Sequence, residues 1–205
     1  MKTRYCLFVL LLSNLSMPAV ALGLTEKETG RTYPDDIAVE VGGQPVDLVA
    51  TGTALREKTA FRFNVYTIVS YVAKGTDLGD DPAKGLMLAD VPKRLRLDLL
   101  RGFSENKLRN SFDEDVRNNY GDRMDEISQD LSTFNAYWTR DAEKKDVIIF
   151  DYNPVRGLRT TLNGKELGVI KNKVFAQALW SVWFGKKPAS SDMRKKLVAA
   201  VRKGQ

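Results

Sequence analysis

A charged cluster stands directly before a long apolar run in the N-terminal half of the chain. Arg56, Glu57 and Lys58 follow the segment GTAL, and residues 60–72 are mostly aromatic, β-branched or small. The planar guanidinium of an arginine can hold a carboxylate or a phenolate through two parallel hydrogen bonds. Two alternatives are therefore open: the cluster forms an exposed hairpin turn, or Arg56 lies at the mouth of an apolar cleft.

Large aromatic side chains fall on segments that are expected to be buried: Tyr66, Tyr71, Trp180 and Trp183. Packing in a hydrophobic core is the simpler interpretation of such residues. Ligand clefts, however, also have mostly apolar walls with few polar groups. The sequence is compatible with both roles for each of these side chains.

The residues that are missing restrict the possible chemistry. The sequence contains no histidine and one cysteine, Cys6. Without histidine there is no Ser-His-Asp triad and no common zinc site, and the usual general base at neutral pH is absent. The acidic run from Asp113 to Asp115 is interpreted as a solvated helix face, and Gly79-Asp80-Asp81 as a turn. We therefore expect no metal and no cofactor, and any catalysis would use Tyr, Lys, Arg or a carboxylate.

The first residues are predicted to be a signal peptide. The basic start MKTR is followed by the apolar segment CLFVLLL and by the A-x-A cleavage site at residues 19–21. Cleavage would remove residues 1–21 together with Cys6, so the mature domain would start near Leu22 without a thiol. We expect the protein to be periplasmic or secreted, with an uncleaved N-terminal anchor as the alternative. No later segment is long and apolar enough for a transmembrane anchor.

The charge of the chain is mildly basic. The formal net charge is +6, and loss of Lys2 and Arg4 with the signal peptide would leave +4. Because the basic residues are spread out among acidic neighbours, we expect a solvated surface and no nucleic-acid partner. A small acidic ligand or anionic lipid is the favoured charged partner of an exported protein.

Strand signals dominate two parts of the chain. Alternation of apolar and polar residues, with Gly42-Gly43 and Asn163-Gly164 as turns, predicts antiparallel hairpins. The strand from residue 94 to residue 100 is expected to be half-exposed. The predicted strands are residues 37–41, 46–50, 60–72, 94–100, 146–152, 157–162 and 165–170.

Helical periodicity follows each group of strands. Ser104 is a candidate N-cap, and Leu108, Phe112 and Val116 recur four residues apart. Further helices are predicted from Asp122 to residue 138, over residues 174–184, and after a cap at residues 190–192. The order of strands, helices, strands and helices predicts one α+β domain over residues 22–205 with an antiparallel sheet.

Two sequence blocks resemble the chalcone isomerase fold family. GTALREKTAFRFNVYTIVSYV (52–72) is similar to its G-x-G-x-R … V-Y-x-x-G-x-Y region, and residues 152–197 follow the family order of strand, NG turn, strand, apolar helix and capped helix. The resemblance spans roughly residues 35 to 202 and is strongest to the bacterial exported branch. It implies an open-faced β-sandwich, in which an antiparallel sheet is covered by a layer of helices, with a ligand cleft between the two layers.

The resemblance also implies positions for the binding residues. Plant members of one branch cyclise chalcones to flavanones, and a sister branch binds fatty acids with an arginine and a tyrosine. The cleft arginine of both branches corresponds to Arg56. Tyr66 falls where the enzyme has a threonine and the fatty-acid binders have a tyrosine. Arg56 and Tyr66 are therefore expected to bind the ligand.

Most other polar groups of the enzyme are not matched. The segment that corresponds to its catalytic tyrosine, residues 101–113, contains none, and Lys107 is the nearest polar candidate. The later threonine or serine of the enzyme falls at Ser181 or Val182. We therefore add Lys107 and Ser181 as candidate ligand-binding residues, and we assign no catalytic residue.

The expected function is that of an exported chalcone isomerase-like protein without chalcone isomerase activity. It would bind a fatty acid or a similar small amphipathic acid, or a phenolic compound, in the cleft. Two alternatives are an intramolecular lyase or isomerase, and an envelope protein-interaction module with a vestigial cleft. A filled cavity with no opening would favour the last of these.

Overall fold

The fold is seen in a computed structural model that describes residues 23–58 and 63–201. The predicted signal peptide and the start of the predicted strand at residues 60–62 lie outside these ranges. Strands and helices alternate along the described chain in the predicted order. The architecture is thus α+β, as the sequence predicts.

A curled sheet of seven antiparallel strands forms the framework. Its strand order follows the chain order, so each strand pairs with the next one in sequence, while β1 and β2 form a separate two-stranded sheet. Residues of β3 and of β7 line one common cavity although three strands separate them in the sheet, which shows how strongly the sheet curls. The strands are β1 (Gly23–Thr25), β2 (Thr32–Pro34), β3 (Asp36–Val41), β4 (Gln44–Lys58), β5 (Phe63–Ala73), β6 (Lys93–Leu99), β7 (Val147–Asn153), β8 (Gly157–Leu162) and β9 (Lys165–Ile170).

The two predicted hairpin turns are confirmed by their backbone geometry. Gly42 and Gly43 have φ angles of 59° and 80°, and Asn163 and Gly164 have φ angles of 52° and 80°. Two successive positive φ angles match the right-handed twist of the flanking strands, and glycine and asparagine adopt them at least cost. These turns fix the pairing of β3 with β4 and of β8 with β9.

Strand β4 is much longer than the sequence pattern predicts. It has 15 residues and continues from the predicted segment 46–50 to Lys58. Arg56 therefore lies within a strand, opposite Tyr66 of β5, and not in a hairpin turn. The pattern is lost after Ala50 because register shifts at Ala50/Gly52 and Arg56/Glu57 interrupt the alternation of the two faces.

Five α-helices and one 3-10 helix occur in the described part of the chain. A 3-10 helix, Gly121–Glu126, stands where the second predicted helix begins, so the α-helix itself starts only at Ser128. Ser104, Asn172 and Ser190 accept backbone N–H groups as N-caps of α2, α4 and α5. The helices are α1 (Pro82–Leu88), α2 (Glu105–Tyr120), α3 (Ser128–Ala136), α4 (Lys173–Phe184) and α5 (Ser191–Lys196).

The main core lies between the helices and one face of the sheet. Its centre is a group of aromatic rings in edge-to-face, tilted and stacked contact with one another, namely Phe112, Phe134, Trp138, Phe150, Phe175 and Trp183. Nine of the twelve residues of α4 are buried, as its nearly continuous apolar sequence suggests. This packing holds α2 and α4 over the sheet and fixes the side chains between them.

The other face of the sheet carries a smaller core of Tyr33, Leu48, Val69 and Tyr71. The prediction that residues 94–100 form a half-exposed strand is wrong for Asp98, whose side chain is fully buried. Tyr33 from the separate β1–β2 sheet covers Asp98 and donates a hydrogen bond of 2.9 Å to it. Sequence alternation could not reveal this cover, because it comes from a segment more than sixty residues away.

Candidate functional site

A cavity of about 310 Å³ opens between the sheet and the helices. Strands β4 to β7 form its floor, and helices α2 and α4 form its walls. Its lining combines apolar side chains with a few charged and polar ones: Arg56, Val65, Tyr66, Leu97, Leu99, Phe103, Lys107, Leu108, Ser111, Phe112, Glu114, Asp115, Ile148, Val182 and Trp183. We call this cavity the cleft.

Arg56 lies half-buried in the cleft with most of its hydrogen-bonding capacity free. Its Nη1 donates a hydrogen bond of 2.5 Å to the carbonyl oxygen of Ala189, in the loop between α4 and α5. Within residues 23–58 and 63–201 the guanidinium forms no ion pair and no further hydrogen bond. The guanidinium is held through Nη1, and its remaining N–H groups are able to donate two hydrogen bonds to a carboxylate.

Tyr66 lies opposite Arg56 and is held by a tryptophan. The indole Nε1 of Trp183 donates a hydrogen bond of 3.0 Å to the Tyr66 hydroxyl oxygen. Burial raises the pKa of Tyr66 to about 12, although the Trp183 bond and the Arg56 charge oppose this rise. The hydroxyl is therefore protonated at neutral pH. No acceptor for its proton is found among the described residues, so it remains available to a ligand.

Two carboxylates of α2 also reach the cleft. Burial raises the pKa of Asp115, while the charge of Arg56 lowers it and that of Glu114 adds to the rise. Glu114 is exposed at the rim. Together with Arg56 and Lys107, these residues give the cleft as many acidic as basic side chains. Arg56 and Asp115 both lie close enough to Tyr66 to shift its pKa, in opposite directions, so this part of the cleft contains one charge of each sign.

The structure brings together three of the four predicted site residues. Arg56, Tyr66 and Lys107 all line the cleft, and Lys107 is exposed near its mouth. Ser181 is not among the lining residues. Its side chain is buried in α4 and its hydroxyl donates a hydrogen bond of 2.6 Å to the carbonyl oxygen of Ala178. The neighbouring Val182 faces the cleft instead.

The four aromatic residues singled out in the sequence divide between the two roles. Tyr66 and Trp183 line the cleft. Trp180 is fully buried in the main core, and Tyr71 belongs to the smaller core on the other face of the sheet. In β5 the separation of Tyr66 from Tyr71 follows from the alternation of a strand, since an odd spacing places two side chains on opposite faces.

Asp115 is the main site residue that sequence reasoning missed. The acidic run at residues 113–115 was interpreted as a solvated face, which is correct for the exposed Glu114 but not for Asp115. A helical signal could have found it. Asp115 follows Leu108 by seven residues and Ser111 by four, so it shares the inward face of α2. Its position beside Arg56, however, depends on how α2 packs over β4.

Metal-binding clusters and membrane-spanning helices are both absent from residues 23–58 and 63–201. No group of three or more metal-ligating side chains is clustered there. None of the described helices combines the length and apolar character that crossing a bilayer requires.

Comparison with known proteins identifies the family to which the chain belongs. The family model described as chalcone isomerase-like matches residues 26–199, which is most of the sequence. The chain belongs to the chalcone isomerase-like family. The cleft lies between the sheet and the helices, as the resemblance in the sequence implies for this family. A search of curated protein sequences finds no match.

A solved structure shares the fold of this chalcone isomerase-like protein. The crystal structure of a fatty-acid binding protein from Arabidopsis thaliana aligns with a TM-score of 0.70 and 19% sequence identity. The alignment covers 86% of this chain and 96% of the plant protein. At this identity the similarity establishes the open-faced, helix-covered antiparallel sheet.

Proposed function

We propose that this protein binds a fatty acid or a similar small amphipathic acid in the cleft, without catalysing a reaction. The observation that carries the proposal is the position of Arg56, which has no ion-pair partner among the described residues and lies near Tyr66 at one side of a largely apolar cavity. A ligand carboxylate would accept hydrogen bonds from Arg56 and Tyr66, and its chain would lie against the apolar wall.

The polar end of the site favours an anion over a neutral ligand. The guanidinium of Arg56 is planar and positively charged, and its free donors can bind both oxygens of a carboxylate. Tyr66 is protonated and can add one further donor. The bond from Trp183 to Tyr66 and the bond from Arg56 to Ala189 orient these groups before a ligand arrives, which reduces the entropy lost on binding.

The apolar part of the site limits the size of the ligand. A volume of about 310 Å³ is near the lower end of the range for small-molecule pockets. At about 30 Å³ for each water-sized group, it holds on the order of ten such groups. The cleft therefore suits a short or medium acyl chain, and a longer chain would have to extend through the mouth.

Two further observations support the proposal, one from the comparison with a solved structure and one from the sequence. The Arabidopsis protein of the same fold is a fatty-acid binding protein, and Arg56 and Tyr66 stand where the family resemblance expects its arginine and tyrosine. The basic, then apolar N-terminus with its A-x-A site supports export, so we propose a periplasmic or secreted location. An open cavity also argues against a vestigial cleft, because a cavity without function would be expected to fill with side chains.

The test is to identify what the purified protein carries and to measure what it binds. Organic extraction followed by mass spectrometry is compared for the wild-type protein and for Arg56→Ala. Calorimetric titration with octanoic, decanoic and palmitic acids then gives their affinities. Loss of hydrogen bonds to a charged partner costs about 1.5–3 kcal/mol, so Arg56→Ala is expected to weaken binding by roughly ten-fold to a hundred-fold.

Two controls separate binding from folding. Arg117→Gln changes an exposed arginine of α2 that pairs with Asp113 outside the cleft, and it should leave affinity unchanged. Arg56→Lys keeps the positive charge but lacks the planar guanidinium with its paired N–H donors, and should retain part of the affinity. Wild-type protein that carries no acid and binds none of the three would refute the proposal. Ring closure of a chalcone faster than in buffer, and dependent on Arg56, would instead favour the isomerase alternative.

A further inference from the structure

A second cavity lies on the face of the sheet that is turned away from the helices. Its volume is about 320 Å³. Leu48, one of its lining residues, belongs to the smaller core with Tyr33, Val69 and Tyr71, which places the cavity on that face. One wall is formed by residues 38–41 of β3, and the opposite wall is formed by charged residues of β6, β7 and β8.

Three charged side chains stand side by side across the opposite wall. Arg94 pairs with Asp151 between β6 and β7, and Asp151 pairs with Arg159 between β7 and β8. Arg94 donates to both carboxylate oxygens of Asp151, and Arg159 Nη2 donates a bond of 2.7 Å to the same carboxylate. Asp151 is 13% exposed, so the shared carboxylate is recessed and holds both guanidinium groups in place.

This arrangement leaves an excess of positive charge with free donors. Two guanidinium groups share one carboxylate. Within the described residues, Nη1 of Arg94 and both Nε and Nη1 of Arg159 have no hydrogen-bond partner. A partly buried carboxylate that fixes two arginines while neutralising only one of them can support an anion site.

The other acidic residues near the cavity do not remove this excess. Glu40 lines the cavity, but its neighbour Val39 packs against the smaller core. Because side chains alternate along a strand, the Glu40 carboxylate points to the other side of β3. Arg156, at the rim, is neutralised by its pair with Glu166 at 2.9 Å. Lys93 also lines the cavity, but its Nζ is turned away and donates to the carbonyl oxygens of Leu86, Met87 and Ala89. The net charge that faces the cavity is therefore set by Arg94, Asp151 and Arg159.

The size and the apolar wall indicate the class of ligand. The cavity is on the order of ten water volumes, which is more than an inorganic ion fills. The half-buried Val39, beside the buried Leu48, offers apolar surface opposite the arginines. We propose that this cavity binds a small soluble organic anion, whose carboxylate or phosphate group contacts Arg94 and Arg159 while its apolar portion lies against β3.

The experiment titrates the purified protein with phenyl phosphate, and with phenol as the uncharged control, at low ionic strength. The key variant is Arg159→Gln. It leaves Arg94 paired with Asp151, and so removes the excess charge. We expect phenyl phosphate, but not phenol, to bind wild type, and Arg159→Gln to lower that affinity about ten-fold or more, as for loss of charged hydrogen bonds. Arg117→Gln removes an equal charge elsewhere and should have no effect.

The remaining outcomes separate this proposal from its competitors. Equal phenyl phosphate affinity in wild type and Arg159→Gln, or none in either, would overturn it. So would sedimentation of the wild-type protein with phosphatidylglycerol vesicles, lost in Arg159→Gln, without binding of phenyl phosphate. If Arg159→Gln lowers the melting temperature, Arg159→Lys, which keeps the charge, should retain part of the affinity. Arg159→Gln should leave acyl-chain binding in the cleft unchanged, so each site can fail independently.

Discussion

The two faces of the sheet place their cations in opposite surroundings. On the helix-covered face, Arg56 bonds to a backbone carbonyl, and Lys93 is buried with its ammonium donating to the carbonyl oxygens of Leu86, Met87 and Ala89. On the open face, the arginines of β6 and β8 are paired with carboxylates. Among the described residues, Arg56 and Lys93 thus have backbone carbonyl oxygens as hydrogen-bond partners, whereas Arg94, Arg96 and Arg159 have carboxylates.

The two faces of the sheet are stabilised by different interactions. The helix-covered face gains its stability from apolar area and aromatic contacts, which leaves its few polar groups free for binding. The open face has a small apolar core, and its networks around Asp98 and Asp151 tie neighbouring strands together. The pKa of Arg96 shows the balance there: burial alone would lower it, but the bond to Asp98 and its charge raise it overall.

The largest expected effect comes from the apolar core of the helix-covered face. Phe134 is fully buried and contacts the rings of Phe112, Trp138, Phe150 and Phe175. Phe134→Ala should lower the free energy of unfolding by about 3–5 kcal/mol, because it removes transfer energy and leaves a cavity. Urea denaturation measures this. The exposed Val155 provides the control, since Val155→Ala should change stability by less than about 0.5 kcal/mol.

The next effect tests the charged network of the open face. Asp98→Asn keeps the shape of the side chain but removes the ion pairs with Arg31 and Arg96. The free energy of unfolding should fall by about 2 kcal/mol, less than for a fully buried pair because both arginines are partly exposed. Chemical denaturation compares it with Asp113→Asn, whose exposed pair with Arg117 contributes about 0.3–0.5 kcal/mol. Equal losses in the two variants would show that burial adds nothing to this network.

The free energy of unfolding should depend on pH through Lys93, whose ammonium is bound to backbone carbonyl oxygens and not, like the arginines of the open face, to carboxylates. Burial lowers the pKa of Lys93 to about 7 from 10.5, although Asp90 opposes the shift. The unfolded chain keeps this proton up to about pH 10.5, while the folded protein releases it above about pH 7. Stability should therefore rise between pH 7 and pH 9, by at most about 1.4 kcal/mol per pH unit.

Urea denaturation at several pH values in this window measures the slope. In Lys93→Met the rise should disappear, because the titrating group is gone. A slope that persists in Lys93→Met would assign the rise to other groups, and a flat profile in the wild type would contradict the lowered pKa.

The smallest expected effect is a change of ligand affinity caused by a substitution of Asp115 in the cleft. Asp115 lies near Arg56 and competes with a ligand carboxylate for its positive charge. Asp115→Asn should strengthen binding of decanoic acid by a few-fold, opposite in sign to Arg56→Ala. Glu114→Gln at the exposed rim is the matched control, and its effect should be smaller because water screens the charge. Weaker binding in Asp115→Asn would mean that Asp115 orients Arg56 or contacts the ligand directly.

Local patterns predicted most elements because they act over a few residues. The NG and GG turns fixed two hairpins, Ser104 capped α2, and the apolar run of α4 indicated a buried helix. The predictions of strand length and of side-chain burial were wrong where these depend on contacts with segments that are distant in sequence. Strand β4 extends to Lys58 because β5 pairs with it across two register shifts, and Asp98 is buried because Tyr33 covers it.

The candidate site shows the same division. The family resemblance in the sequence led to Arg56, Tyr66 and Lys107, which the structure places in one cleft. It could not decide between Ser181 and Val182, since a shift of one residue on α4 turns a side chain by about 100° around the helix axis. It also missed Asp115, because an acidic residue on a helix resembles a solvated one until its neighbours are known.

The sequence by itself determined the α+β class, the main turns and caps, and the absence of histidine and of a thiol beyond Cys6. These properties depend on composition and on backbone preferences within a few residues. Only the tertiary structure decided that Arg56 has no carboxylate partner within residues 23–58 and 63–201, while Arg94 and Arg159 share Asp151. It also decided that the sheet has a cavity on each face. Such properties depend on distances between side chains that are far apart in sequence, and those distances are set by the curl of the sheet and the packing of α2 and α4.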